Sequence, residues 1–340
     1  MRIVGLVKDP LDPSCRYRLA ALRPWLEAAG HHLEIEAIPR DTIPRLGRIW
    51  SLRHHDVVVL ERRLFPRWTL ALIRRMAKRL VFDFDDAVYR PDSTSGEDQS
   101  SVRLRRFVAT VRAADAVIAG NEFLRDQAAQ FTDPARVRVI PTCVEPSRYP
   151  TAEHRRRDGA VQLVWIGSKT TLHGLQRAST ILDAVARGCP GITLKVICDR
   201  FPSFRDMPVT EVRWTIESEA REVASADIGV SWLPDDGWSP GKCGLKVLQY
   251  MAAGLPVVVN SVGVQGAMAR SGETGFVAST PEEWTEAVRS LAADPDLRCR
   301  MGAAARRRVE AEWSTERAAA LWVELLRSWA EDTGRENARS

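Results

Sequence analysis

The feature that most constrains this chain is an alternation that occurs twice. Short runs rich in β-branched residues, at 3–7, 33–37, 57–60, 80–84, 116–119 and 137–140, are separated by stretches of helical composition. Adjacent parallel strands need a crossover connection, so runs of this length joined by helices predict parallel βαβ units. After Pro141 the pattern stops. Residues 146–159, with SRYPTAEHRRRDG inside them, are polar, charged and broken by proline and glycine, as a linker is. The alternation then resumes at 161–166, 193–197, 228–232, 256–260 and 276–278. The expectation is an α/β chain of two doubly wound domains, 1–155 and 160–312, and a closing helix over 313–332. Helices should begin near Pro281, Pro295 and Ser314. The last carries Trp313, Leu321, Trp322, Leu325 and Trp329, more apolar surface than a free helix exposes, and should pack back across a domain surface. Ser14 reads as the cap of a helix ending at Gly30, Asn121 as the cap of another running to about Gln130, and the last eight residues as frayed.

Composition narrows the function classes. With 340 residues, 45% hydrophobic and 27% charged, the chain is globular and disorder is excluded as its main theme. Its apolar runs, such as 57–60 and 255–259, fall far short of the roughly 20 residues of a spanning helix. The opening MRIVGLV meets Lys8-Asp9-Pro10 at once, unlike a secretory signal, so a cytoplasmic location is expected. Six scattered cysteines form no CxxC pair and read as reduced thiols rather than zinc ligands or disulfides.

The net charge of +5 is uneven: residues 1–150 hold 25 lysines and arginines against 19 acids, or +6, leaving −1 for the rest. Seven of these cations fall between Arg62 and Arg79, where Leu70, Ile73 and Ala77 make an apolar face beside Phe65 and Trp68. This basic amphipathic segment suits peripheral contact with an anionic membrane; the alternative is a solvated outer face of a helix packed on a sheet. Only six of the 49 cations are lysine, so a single arginine carries little weight. No nucleic-acid partner is expected.

Residues 233–260, LPDDGWSPGKCGLKVLQYMAAGLPVVVN, follow a run with a glycine-rich turn, a helix and another run. Gly241 and Gly244 let the backbone approach a ligand, a helix from about Leu245 offers unpaired N–H groups, and Lys242 and Lys246 add charge, which together make a phosphate cradle. A loop that merely turns into a core helix accounts for Gly254 as a left-handed cap and Pro256 as a strand start, but not for two lysines beside two glycines. A second anion turn, Gly167-Ser168-Lys169-Thr170-Thr171, follows VQLVWI, where doubly wound sheets place phosphate contacts. It lacks the spacing of a Walker A loop or GxGxxG, so neither ATP hydrolysis nor a dinucleotide is expected. His173 beside it is as well read as a helix-start surface residue as a ligand. Asp83, Asp85 and Asp86 crowd the end of a predicted strand, suiting acceptor binding or general-base work by Asp85 or Asp86, with helix or turn capping as the alternative. Arg16 and Arg18, after the first run, suit an anionic acceptor or a solvated face.

The chain resembles the glycosyltransferase group 1 (family 4) enzymes. The resemblance rests on Gly244-Leu245 followed by Met251-Ala252-Ala253-Gly254-Leu255-Pro256-Val257-Val258, on Ala226-Asp227-Ile228-Gly229-Val230-Ser231, and on Gly272-Glu273-Thr274-Gly275-Phe276-Val277. It spans most of 161–312; the first half matches more loosely, through Gly30-His31 and Asp83-Phe84-Asp85-Asp86. The resemblance implies the GT-B fold, two Rossmann-like domains facing a cleft with the final helix crossing back. It implies a nucleotide-sugar donor on the second domain, a sugar or lipid-linked acceptor on the first, and transfer with retention. It implies no metal and no cofactor beyond the donor. Lys169 and Lys246 would oppose charge on the leaving diphosphate, with Gly167, Ser168, Lys242, Gly244, Leu245 and Gln249 also meeting the donor. Where the family commonly places two glutamates eight positions apart, this chain holds Gly241 and Gln249. Gln249 can still exchange hydrogen bonds with a ribose diol, while Gly241 offers only its N–H, so the sugar would be read by Asp235, Asp236 or Lys242. The function expected is hexosyl transfer in cell-envelope polysaccharide or glycolipid synthesis, at the inner membrane face. The alternatives are a non-catalytic sugar-nucleotide-binding relative and a nucleotide-sugar epimerase on the same fold.

Overall fold

A computed structural model describes residues 1–39, 41–95, 97, 99–154 and 161–337. By contacts the chain divides into two units: Met1–Cys143 with Gly241–Cys243 and Thr315–Ser340, and Val144–Pro240 with Gly244–Ser314. The division falls ahead of the linker read at 146–159, and the boundaries drawn at 155 and 160 lie outside the described residues.

The first unit is built on β1 (Arg2–Val7), α1 (Pro13–Arg18), α2 (Arg23–Ala28), β2 (His32–Ala37), α3 (Thr42–Ser51), β3 (Val57–Glu61), α4 (Arg67–Met76), β4 (Arg79–Phe84), α5 (Ser101–Ala113), β5 (Ala116–Ala119), α6 (Glu122–Ala129) and β6 (Val137–Val139). Its strands pair in parallel in the order β2-β1-β3-β4-β5-β6. Strands β3, β4 and β5 are buried along nearly their whole length, as expected of a parallel sheet covered on both faces. The chain steps from β1 to β2 in one direction and from there to β6 in the other. Right-handed crossovers therefore put α1 and α2 on one face and α3 to α6 on the opposite one. Ser14 is not a cap: the cap of α1 is Asp12, and the single helix expected up to Gly30 breaks into α1, a 3-10 turn at Ala20–Leu22 and α2. Asn121 does cap α6, accepting from Leu124 N at 2.8 Å.

The second unit holds β7 (Val161–Ile166), α7 (Lys169–Arg177), α8 (Ser179–Gly188), β8 (Ile192–Cys198), β9 (Val209–Arg213), α9 (Glu219–Ala224), β10 (Ile228–Ser231), α10 (Leu245–Ala252), β11 (Val257–Val259), α11 (Gln265–Met268), β12 (Gly275–Val277), α12 (Pro281–Ala293) and α13 (Pro295–Glu312). Its parallel order is β12-β11-β10-β7-β8-β9. Strand β9 was not legible in the sequence: VTEVR is a mostly exposed edge strand with no apolar run to announce it. Gly254 does take the left-handed conformation after α10, at φ +71.

The last helix, α14 (Thr315–Asn337), belongs to the first unit, where it packs against α2 and the Ala20–Leu22 turn. Ala318, Ala319, Trp322, Leu325 and Leu326 are buried, and the Arg79 guanidinium lies 5.6 Å from the Trp329 ring. Helical backbone continues to Asn337 rather than fraying from 333, with 338–340 outside the described residues, and Trp313 caps α13 instead of joining α14.

Candidate functional site

In open parallel sheets, ligand sites form at the carboxyl ends of strands where the chain reverses direction across the sheet. In the second unit that point lies between β7 and β10, and both anion turns found in the sequence are there. They differ in what they leave open. At α7 the turn is closed on itself: Thr171 Oγ1 accepts from Ser168 N at 3.0 Å, completing a capping box, and Asp199 Oδ1 accepts from Lys169 N at 3.1 Å. The Cys198 thiol and the backbone amides of Asp199 and Lys169 hold the Asp199 carboxyl below its usual range. Lys169 and Ser168 at this turn are exposed. At α10 the N-cap is Gly244, at φ +70 and with no side chain to close the turn. A Cβ there would lie 2.5 Å from Met268 Sδ, so glycine is required by space as well as by conformation.

The two turns share one side chain. Trp165 is buried at the end of β7; its ring fills the space above Gly167, where a Cβ would come within 2.4 Å. The Lys246 ammonium stands 5.1 Å from the centroid of the same ring. Tyr250 Oη accepts from Ile166 N at 3.0 Å and packs on Gly229, locking α10 to the strand ends. Leu245 and Lys246 are half-buried, whereas 247–252 are all buried. Gln249, one turn further along, is 4% exposed.

The first unit reverses direction between β1 and β3, and its polar cluster sits at those carboxyl ends. Arg18 is not an acceptor anchor. It is buried, donates to both oxygens of Asp83 at 2.6 and 2.8 Å and reaches Ile140 O and Thr142 Oγ1. Arg16 is half-buried, 5.3 Å from the Tyr17 ring. Arg62, expected within the basic helix, precedes α4, holds a positive φ of 55 and pairs with Asp85 at 3.5 Å and Asp86 at 2.5 Å. Lys242 pairs with Asp86 at 2.9 Å, so it is engaged in the first unit rather than in the phosphate cradle, and Asp86 is held by two cations. Segment 241–243 is tightly seated. A Cβ on Gly241 would lie 2.8 Å from Ala87 N, which leaves no room for a glutamate. Cys243 Sγ donates to Asp85 O at 3.3 Å, and Asn121 Nδ2 donates to Lys242 O.

Sequence reading missed Glu61, the last residue of β3. It is buried, and burial, with the nearby Asp85 charge adding to it, pushes its carboxyl up to about 7. Ser14 Oγ is hydrogen-bonded to Glu61 Oε1 and lies 2.9 Å from Asp85 Oδ1. One hydroxyl hydrogen cannot serve two acceptors, and a proton on Glu61 completes the count. The available signal was a carboxylate closing the apolar run VVVL. Among the described residues no group of three His, Cys, Asp or Glu is arranged to hold a metal ion; cations hold Asp83, Asp85 and Asp86 instead.

Comparison with known proteins bears on this arrangement. The Glycosyl transferase-like family matches residues 176–324. The glycogen synthase of Mycobacterium tuberculosis is 28% identical over 235 residues, covering 63% of this chain and 55% of the relative, so the match spans about half of that protein's length. In these matches the chain is similar to the group 1 glycosyltransferases. Its fold is GT-B. Sucrose-phosphate synthase from Thermosynechococcus elongatus superposes with a TM-score of 0.73 at 18% identity, over 98% of this chain and 100% of that one. Anabaena HepE, solved with UDP and glucose, gives 0.71 at 14% identity, over 96% and 100%. The family match takes in α10 and its lysine turn but not Gly167–Thr171, which the shared Trp165 ties to it.

Proposed function

We propose that the chain transfers a hexose from a nucleotide-sugar donor to an acceptor hydroxyl, with retention, in building a cell-envelope polysaccharide or glycolipid. The observation that carries this reading is the open first turn of α10, with Lys246 poised over Trp165 beside the Gly167–Thr171 turn. A helix start whose N-cap is a glycine with no capping side chain, next to an ammonium on a buried indole, suits a diphosphate whose negative charge grows as the sugar departs. Lys169 supplies a second cation, and Gly167, Ser168, Gly244 and Leu245 shape the surface. The related protein solved with UDP and glucose supports a nucleotide-sugar donor of that kind. On the first unit, Asp85 with Ser14 and Arg16 are the groups for a polar acceptor, which this reading takes to be lipid-linked.

The test is a panel of UDP-, GDP-, ADP- and TDP-sugars, followed by release of the nucleoside diphosphate. Release is expected with one of them, and Lys246→Ala should lower the rate by about 100-fold, the loss of one transition-state contact worth roughly 3 kcal/mol. Its melting temperature should barely move. Nucleotide binding without release would favour a non-catalytic binder, sugar interconversion an epimerase, and unchanged turnover in Lys246→Ala would remove this lysine from the mechanism.

A further inference from the structure

The first unit carries a surface that the transfer chemistry does not use. Helices α3, α4 and α5 lie side by side on one face of its sheet, α3 against α4 and α4 against α5. Together they hold nine arginines and no aspartate or glutamate. Glu36 takes Arg48 and Asp115 takes Arg74, while Arg67, Arg75, Arg103, Arg105 and Arg112 are exposed.

The same helices present apolar side chains to solvent. Ile43 is 84% exposed and Trp68 52%, and Leu46, Val102 and Leu104 are exposed as well. Each of the three helices follows a strand and so begins at the carboxyl edge of the sheet. Ile43, Trp68 and Val102 are each the second residue of their helix, which aligns them along that edge. Leu11, in the loop after β1, is 74% exposed at the same edge. The sequence placed the apolar face of this region on Leu70, Ile73 and Ala77, beside Phe65 and Trp68; all of these but Trp68 are buried. The solvent-facing apolar line runs across three helices instead of along one.

We propose that this edge docks on an anionic lipid bilayer, with Ile43, Trp68, Val102 and Leu11 entering the interface and the arginines of α3 to α5 meeting lipid phosphates. Charge complementarity selects that occupant: three adjacent helices without one carboxylate repel no anionic headgroup, and guanidinium groups pair phosphates well. Exposed aliphatic residues in a row gain by entering the headgroup–acyl boundary and gain nothing from a nucleic-acid backbone. The Asp85 cluster lies at the same carboxyl edge, so docking there would bring a lipid-linked acceptor's head group to the residues named for it. The inference extends the lipid-linked acceptor of the proposed function, yet its test needs no turnover.

The experiment is co-sedimentation of the full chain with vesicles of phosphatidylglycerol and phosphatidylethanolamine, against neutral phosphatidylcholine vesicles, at low and high salt. Binding to the anionic vesicles should be strong at low salt and weak at high salt, with little binding to the neutral ones. The triple variant Arg67→Glu, Arg75→Glu, Arg105→Glu should lower partitioning by about a hundredfold. The double variant Ile43→Ser, Trp68→Ser should also weaken it, while Ile216→Ser with Arg221→Glu, on the second unit, should bind as wild type. All changed side chains are exposed, and circular dichroism checks that each variant is folded. Equal binding of wild type to anionic and neutral vesicles overturns the proposal, as does wild-type binding by both first-unit variants, or DNA oligonucleotide binding in place of vesicle binding. A nucleotide-induced thermal shift, measured apart from vesicles, keeps the outcome for the transferase reading separate.

Discussion

Burial governs the chemistry of Glu61, which shares the Ser14 hydroxyl with Asp85. Glu61 titrates at 4.5 in a free side chain and near 7 in the folded protein. Between those values the native state keeps a proton that the unfolded chain has lost, so stability falls as pH rises through that window and levels off above it. Glu61→Gln removes this titration and should flatten the fall. Urea midpoints of wild type and variant at about pH 5, 6, 7 and 8 check it, and parallel profiles would contradict a protonated Glu61. Arg18 shows the opposite economy of charge: buried and bidentate on Asp83, it holds β4 to the chain after β6, and removing it would strand a buried carboxylate. In sequence, Arg16 and Arg18 were equivalent members of an arginine-rich chain. Two positions along α1 turn one toward the Tyr17 ring and the other into the core, and no local pattern announces which. Lys242 was likewise read by its glycine neighbours as a phosphate ligand, whereas Asp86, distant in sequence, holds it.

At the scale of elements, the strands were the most legible part. Each fully buried run, such as AVIA at β5 or VQLVWI at β7, showed its β-branched or apolar character without help from tertiary context. The helical caps at Asn121 and Gly254 were legible for the same local reason. Strand β9 was not, because its largely exposed residues form no apolar run. Packing between helices was equally hidden, and glycines reveal it. A Cβ on Gly302 of α13 would lie 1.9 Å from Gly254 O at the end of α10, whereas one on Gly47 of α3 would meet nothing within 4 Å. Gly302→Ala should therefore lower the melting temperature sharply by forcing α13 off α10, a cost of about 1–3 kcal/mol. Gly47→Ala should raise stability by about 0.5–1 kcal/mol through helix propensity alone. Thermal unfolding of the two variants compares them, and similar shifts would contradict the packing described.

At the scale of the whole molecule, two doubly wound units place their polar groups by one rule, at the carboxyl ends of strands where the chain changes direction. The rule was readable from the alternation of strands and helices, but which turns are capped by side chains was not. The N-terminus of α7 is capped by Ser168, Thr171 and Asp199, while that of α10 starts at Gly244 with no capping side chain beside Lys246. The central claim is that this open turn holds a nucleoside diphosphate. The most direct measurement is the thermal shift of wild type and Lys246→Ala with UDP, GDP, ADP and TDP. Ligand at about 100 times its dissociation constant stabilises by roughly 2.7 kcal/mol. The account predicts a clear rise in melting temperature with at least one nucleotide and its loss or sharp reduction in Lys246→Ala. No shift with any of the four, or an equal shift in the variant, would contradict it.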